Sequence, residues 1–402
     1  FFSKIGNNFF FGSEIKYIKS LSNKSFQLNT KKIINFCSHG YRNLKSNNKT
    51  FYDNIYSLNP GTNLIINKKF DFRFKKYWII KIKETNDNEK KSVSKIKQIL
   101  YKNLEKKFRS DVPLAFCLSG GIDSNALVSI AKKYFNIKLN TFSIVDKNSN
   151  YDESENINYS VSKIKSNNKN IFLNRKNFLE NITNMIEYHD QPISTISYYI
   201  QNLLMKEIKK SGFKVSISGT GADELFTGYY DHFLLQLRDL KNTEYFDKYY
   251  SDWNKNIKPF VRNKYLTNFK LYFKDKSFFK HKYLIKETSD LLIKKKNNLK
   301  HMEYNYCNSA LKNRMLNELF KESVPVILEC DDFNAMMYSI ENRSPFLDQE
   351  LANYNFSLPV SNYIKHGYAK YLLRQALRGT VSDKIRLQRE KKGFNANLLS
   401  LI

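Results

Sequence analysis

The chain has 402 residues, 41% hydrophobic and 26% charged, with 13 glycines and 7 prolines, and carries a formal net charge of +29. That balance excludes collagen-like, low-complexity and wholly disordered chains, and the length suffices for two or three domains and at least one large core. The basic excess admits a polyanion partner. However, the lysines are scattered from end to end, and Lys, Asn, Ile, Phe and Tyr are abundant together, as an AT-rich coding sequence supplies, so nucleic acid is not the expected partner.

Residues 1–85 read as a short β-rich piece. Asn8-Phe9-Phe10-Phe11-Gly12 and Asn63-Leu64-Ile65-Ile66 have strand character, and Pro60-Gly61 marks a turn. Thr85 to Lys91 has linker composition. From 92 onward, helical and strand patterns alternate, the signature of an α/β fold with a parallel sheet. Ile96 to Lys107 is amphipathic, Pro113 to Leu118 is an apolar strand, and Ser124 to Tyr134 is a helix. Leu139 to Val145 and Val215 to Ser218 read as further strands, and 240–310 as Lys-rich, aromatic helix.

No apolar run approaches the roughly 18 residues a membrane span needs. The first residues, Phe1-Phe2-Ser3-Lys4, include no initiator Met and no signal-peptide core, so the gene is expected to start upstream. Cys37, Cys117, Cys307 and Cys330 form no CxxC and have no His at ligand spacing. A zinc site is therefore not expected, and a reducing, cytoplasmic compartment is.

The strongest local signal is Leu118-Ser119-Gly120-Gly121-Ile122-Asp123-Ser124, lying between an apolar strand and a helix. Two glycines let backbone approach an anion closely, and the helix N-terminus offers unpaired N–H groups. Ser119 and Ser124 add hydroxyls. Asp123 would repel a bare phosphate, so it argues for a bridging Mg²⁺. A second strand-loop-helix, Val215 to Tyr230, holds Gly219-Thr220-Gly221-Ala222-Asp223 and supplies another acidic group.

The first loop resembles the pyrophosphate loop of the N-type ATP pyrophosphatases. The second is similar to the SGxGxDExFxGY signature of asparagine synthetases. Glu341-Asn342-Arg343-Ser344-Pro345-Phe346-Leu347-Asp348 resembles that family's ExRxPFLD. Lys370 to Arg374 and Arg389 to Phe394 resemble its KxxLR and RxKxGF, while Tyr151-Asp152-Glu153 and Asp190-Gln191-Pro192 fall where it has YDE and DxP. Phe11 to Lys16 and Pro60-Gly61-Thr62 resemble the end of its glutaminase domain.

The resemblance implies a glutaminase remnant of the N-terminal-nucleophile type over 1–85. Over 92–402 it implies a synthetase domain of the adenine-nucleotide α-hydrolase-like kind. The family's nucleophilic N-terminal Cys would lie upstream. ATP would lie against Leu118, Ile144, Ser218 and Gly219, its phosphates in Ser119, Gly120, Gly121, Asp123 and Ser124. Mg²⁺ would be held by Asp123 and Asp223. Lys370 would stabilise charge at the α-phosphate, and Glu341 with Arg343 would shape the substrate side.

The implied reaction is amidation of a carboxylate through an acyl-adenylate. Aspartate is the first candidate acceptor, and ammonia from glutamine the nitrogen source; a homodimer is compatible with the pattern. Two positions depart from it: Thr220 replaces the family's Glu between the glycines, and Phe333 its Arg. Thr220 has no charge, so a sugar carboxylate remains an alternative acceptor. A tRNA-modifying ATP pyrophosphatase and a silent scaffold are further alternatives.

Overall fold

The computed structural model describes residues 1–146, 152–173, 176–274, 303–392 and 401. Two antiparallel ribbons lie in the N-terminal piece. β1 (Phe2–Ile5) pairs with β2 (Asn8–Phe11), and β3 (Thr62–Ile66) pairs with β4 (Phe72–Lys76). β2 and β3 fall where the sequence predicts strands. The β-rich reading is incomplete, because helices α1 (Ile15–Ser22) and α2 (Thr30–His39) lie between the ribbons. α1 buries Ile15 and Ile18 on one face, where they meet Ile55, and α2 is capped by the Asn29 side chain accepting from Lys32 N–H.

The predicted linker is shorter than its composition suggests. Asn88 caps α3 (Glu89–Lys107), so the helix begins inside it. Ile96, Ile99, Leu100 and Leu104 then recur at helical spacing and are all buried.

β5 (Leu114–Cys117), α4 (Ile122–Phe135), β6 (Asn140–Val145), α5 (Ser154–Ile164) and β7 (Asn167–Phe172) follow in the expected alternation. After α6 (Phe178–His189) and α7 (Ile196–Lys210) the chain returns as β8 (Val215–Ile217) and α8 (Ala222–Phe226), and much later as β9 (Glu341–Arg343). The five strands form one parallel sheet in the order β7-β6-β5-β8-β9. Strand alternation explains its two buried faces. Leu114, Phe116, Val215 and Ile217 pack into the core shared with α3 and α4, while Ala115 packs with Leu204, Met205 and Ile208 of α7 and with Ala335.

Ala335 belongs to the helix Ser323–Met336, which also meets the N-terminal piece. There Phe1 stacks on Phe333 at 6.4 Å, and Leu44 and Phe51 share a cluster with Val326 and Cys330. Lys19 Nζ pairs with Asp190 Oδ1 at 2.6 Å, which gives the Asp190-Gln191-Pro192 turn a docking role. Among the described residues no helix is long and apolar enough to cross a membrane.

Candidate active site

Successive strands are added on opposite sides of β5: β6 and β7 on one, β8 and β9 on the other. The loops leaving β5 and β8 therefore diverge at the carboxyl edge of the sheet and open a crevice, the place where α/β sheets bind ligands. Leu118, Ile144, Ser218 and Gly219 all lie at that edge. Leu118 is buried and donates its N–H to Phe142 O, and Ser218 donates its N–H to Arg343 O, both at 2.9 Å.

The first loop is held by its own hydroxyls. Ser119 N–H donates to Ser124 Oγ at 3.0 Å, and Gly121 N–H donates to Ser119 Oγ at 3.2 Å. Gly121 caps α4 without a side chain, leaving first-turn N–H groups available to an anion. Gly120 N–H donates to Glu153 Oε2 at 3.1 Å. A Cβ on Gly120 would lie 2.9 Å from Asn156 Cβ, so glycine is required for the loop to reach α5. Burial, only partly countered by the Gly120 bond, pushes the Glu153 carboxyl up. Asp152 opens α5 by accepting from Ser154 N–H; Tyr151 lies outside the described residues.

In the second loop Gly221 has φ +90°, and a Cβ there would overlap the Leu347 side chain. A Cβ on Gly228 would overlap the Asp223 carboxylate. These two close approaches turn α8 so that Asp223 meets Asp123. Lys370 lies between them, with Nζ 2.5 Å from Asp123 Oδ2 and 2.6 Å from Asp223 Oδ1. Lys391 Nζ lies 2.5 Å from Asp223 Oδ2 and 4.2 Å from the centre of the Tyr229 ring. Lys370 is 5% exposed and left-handed at φ +56°, and its N–H donates to Thr227 Oγ1. Such a conformation costs about 1–3 kcal/mol and persists only where its surroundings enforce it.

The electrostatics follow from this arrangement. Burial works against the Asp223 charge, but Lys370 and Lys391 outweigh it and hold the carboxyl well below its ordinary value. Asp123 faces only one lysine closely; burial and the neighbouring Asp223 push it up. Burial disfavours the Lys370 charge too, but the two carboxylates reverse that and raise its pKa. Asp123 Oδ1 is buried without a hydrogen-bond partner among the described residues.

Thr220 points away from this cluster. Its Oγ1 accepts from Ser218 Oγ and donates to Asp331 Oδ2, both at 3.2 Å. Glu341 and Arg343 do not join the Asp–Lys cluster either. On a three-residue strand, residues 341 and 343 share a face. Arg343 turns back to the end of α3, where Nη1 donates to Lys107 O at 2.8 Å and Arg109 O at 2.7 Å, and Nε to Glu341 Oε1 at 2.7 Å. The remainder of that motif is structural: Phe346 is fully buried, Leu347 packs on Gly221, and Asp348 caps the next helix through Leu351 N–H.

Three residues at the site were not assigned from sequence. Lys391 stood inside a recognised motif beside a second lysine, and Glu153 inside another. Asp331 carried no local signal. Gly393 and Phe394 lie outside the described residues.

The asparagine synthase family matches residues 95–401. Asparagine synthetase [glutamine-hydrolyzing] 1 of Bacillus subtilis is 25% identical over 366 residues, covering 85% of this chain and 55% of that protein. Its asparagine synthetase 3 is 25% identical over 417 residues, covering 98% of this chain and 62% of that protein. The chain thus spans little more than half the length of these relatives. Among solved structures, an NH3-dependent NAD synthetase from Campylobacter jejuni is 16% identical, with a TM-score of 0.27, covering 58% of this chain and 96% of that one. A family match that runs from α3 to the end of the described chain leaves no ambiguity of kinship: the chain belongs to the asparagine synthase family.

Proposed function

We propose that this chain performs ATP-dependent amidation of a carboxylate, with residues 92–402 as the synthetase domain and 1–85 as the tail of a glutaminase domain. The observation that carries the reading is the convergence of Asp123, Asp223, Lys370 and Lys391 at the carboxyl edge of the sheet, beside a hydroxyl- and glycine-lined loop. ATP is the nucleotide, its phosphates meeting the first loop and the start of α4.

Asp123 and Asp223 fit Mg²⁺: both offer hard carboxylate oxygens, and Asp123 Oδ1 is buried with no hydrogen-bond partner among the described residues. When bound there, the ion would neutralise polyphosphate charge. Lys370 and Lys391 supply fixed positive charge for the α-phosphate oxygens, where negative charge grows during attack. A substrate carboxylate oxygen bonds to the α-phosphorus as the bond to the β-phosphate oxygen breaks, and pyrophosphate leaves. The amine nitrogen then attacks the acyl carbon, and AMP departs with the former carboxylate oxygen. No base is needed in the first step, because the attacking carboxylate is already ionised. The protein's work is positioning and charge neutralisation.

Aspartate is the acceptor favoured by kinship, and ammonia the nitrogen source. A sugar carboxylate is the second reading, favoured by one observation: Thr220 stands where the resemblance expects Glu. The test is pyrophosphate release with ATP, Mg²⁺ and ammonium against aspartate and uronic acids, with Asp123→Ala as control. Aspartate-dependent release absent from the control supports asparagine synthesis. Release with uronic acids alone transfers the reading to sugars. ATP binding without carboxylate-dependent release overturns both.

A further inference from the structure

The strap of chain that carries Lys391 is tied to both nucleotide loops, and one of its tethers plays no part in the site described above. The strap leaves the short helix Asp383–Arg386, which is held beside α5 by Lys384 Nζ, 2.7 Å from Glu155 Oε1. Gln388 Oε1 then accepts from Asn156 Nδ2 of α5 at 2.7 Å. Three residues on, Lys391 Nζ reaches Asp223 of the second loop, and Lys392 Nζ donates to Asp152 O at 2.8 Å. Residues 388–392 therefore span from α5 to α8. Asn156 is in turn pressed on the first loop, since a Cβ on Gly120 would lie 2.9 Å from Asn156 Cβ. Glu153, three residues earlier and on the same side of the helix start, holds the Gly120 N–H. The contacts run unbroken from Gly120 through Asn156 and Gln388 to Lys391 and Asp223.

Resting on the proposed amidation, we propose that Asn156 and Gln388 are positioning residues whose hydrogen bond latches residues 388–392 to the first loop. The latch holds that loop in the shape that receives the β- and γ-phosphates of ATP. Gly120 and Gly121 have no side chains to brace them, and glycine backbone is the most costly to order. The loop's shape therefore depends on what stands behind it, and the start of α5 stands there. Gln388 fixes that helix start to the same five-residue segment whose Lys391 fixes Asp223. One segment thus sets the spacing of the two loops that a polyphosphate must meet together. Setting it before the nucleotide arrives removes an ordering cost from binding. Both residues act through Gly120 and take no part in the chemical steps. Both also stand just outside the motifs that carry the resemblance, three residues after Glu153 and one before Arg389.

The test is calorimetric binding of ATP and of AMP to the full chain, with Mg²⁺ present. AMP lacks the β- and γ-phosphates, so it separates a displaced loop from a loosened fold. Asn156→Ala and Gln388→Ala should each weaken ATP binding about 3- to 10-fold, the scale of one hydrogen bond lost, and leave AMP binding unchanged. The double variant should bind ATP no more weakly than either single one, as residues acting through one shared bond require. Unchanged ATP affinity in both single variants overturns the latch. So does an equal fall of ATP and AMP affinity, which marks a general loosening, and so do effects that multiply in the double variant. A wild-type chain that binds no ATP brings down the reading of function and the latch together. A wild-type chain that binds ATP as tightly as both variants loses the latch alone.

Discussion

Gly219 of the second loop packs directly on Asp123 of the first: a Cβ on Gly219 would lie 3.1 Å from Asp123 Cβ and 3.3 Å from Ser124 N. The two loops are 100 residues apart in sequence at their tips, yet their backbones touch where the charged cluster begins. Gly219→Ala asks the first turn of α4 to give by a few tenths of an ångström, and Gly219→Val asks for more. Calorimetry should show ATP affinity lowered roughly 3- to 10-fold in Gly219→Ala and further in Gly219→Val, with little change in folding stability. Equal ATP affinity in all three proteins would refute the contact as a constraint on the phosphate loop.

Removing Lys370 leaves Asp123 and Asp223 facing one another in a buried site. Breaking one side of a buried ion pair costs about 3–5 kcal/mol. Lys370→Met should therefore lose stability on that scale in urea unfolding. Lys391 pairs with one carboxylate, Asp223, and its side chain is 32% exposed, so Lys391→Met should cost much less, about 1 kcal/mol after screening by water. Equal losses would show that the two lysines are not placed as described.

Asp331 makes a signed forecast for stability against pH. Its folded pKa, about 7, stands above the ordinary 3.8. Between those values the folded state holds a proton that the unfolded chain has released, so stability falls as pH rises from about 4 to 7. The full shift corresponds to about 4 kcal/mol at most. Asp331→Asn removes this loss, and its gain over wild type should grow from near zero at pH 4 to a maximum above pH 7. Glu224, also pushed up to about 7 by burial and Asp223, leaves part of the wild-type slope in place. A pH-independent difference between the proteins would contradict the assignment to Asp331.

The contrast between Arg343 and Phe346 tests the structural account of the third motif. Arg343→Ala removes the two hydrogen bonds that tie β9 to the end of α3, at Lys107 O and Arg109 O, and should cost about 1–2 kcal/mol, with ATP affinity retained. Phe346→Ala empties a fully buried position and should cost about 3–5 kcal/mol. Loss of ATP binding in a folded Arg343→Ala protein would return that residue to the site.

Much of the site is legible in the sequence because its parts are local. A strand, a glycine-bearing turn and an acidic residue in the first helical turn are read from about ten consecutive residues, and this holds for both Asp123 and Asp223. The sheet reads as well, since β5 is an apolar run and β6 alternates polar with apolar residues. What could not be read is direction over distance. Glu341 and Arg343 sit on a three-residue strand, too short for its alternation to reveal which way they turn, and the partners of Arg343 at the end of α3 are more than 230 residues away. Asp331 becomes significant only through Thr220, 111 residues before it. In the N-terminal piece, the strand signals of Phe9 and Ile65 concealed α1 and α2, whose amphipathic faces are only two turns long.

The central claim is that a carboxylate attacks the α-phosphate of ATP at this site. Its most direct test is transfer of ¹⁸O from a labelled substrate carboxylate, with ammonium and Mg²⁺ present. The account expects one labelled oxygen in AMP for each amide formed, none in pyrophosphate, and no transfer with Asp123→Ala. Label in inorganic phosphate, or amide formed with unlabelled AMP, would contradict it.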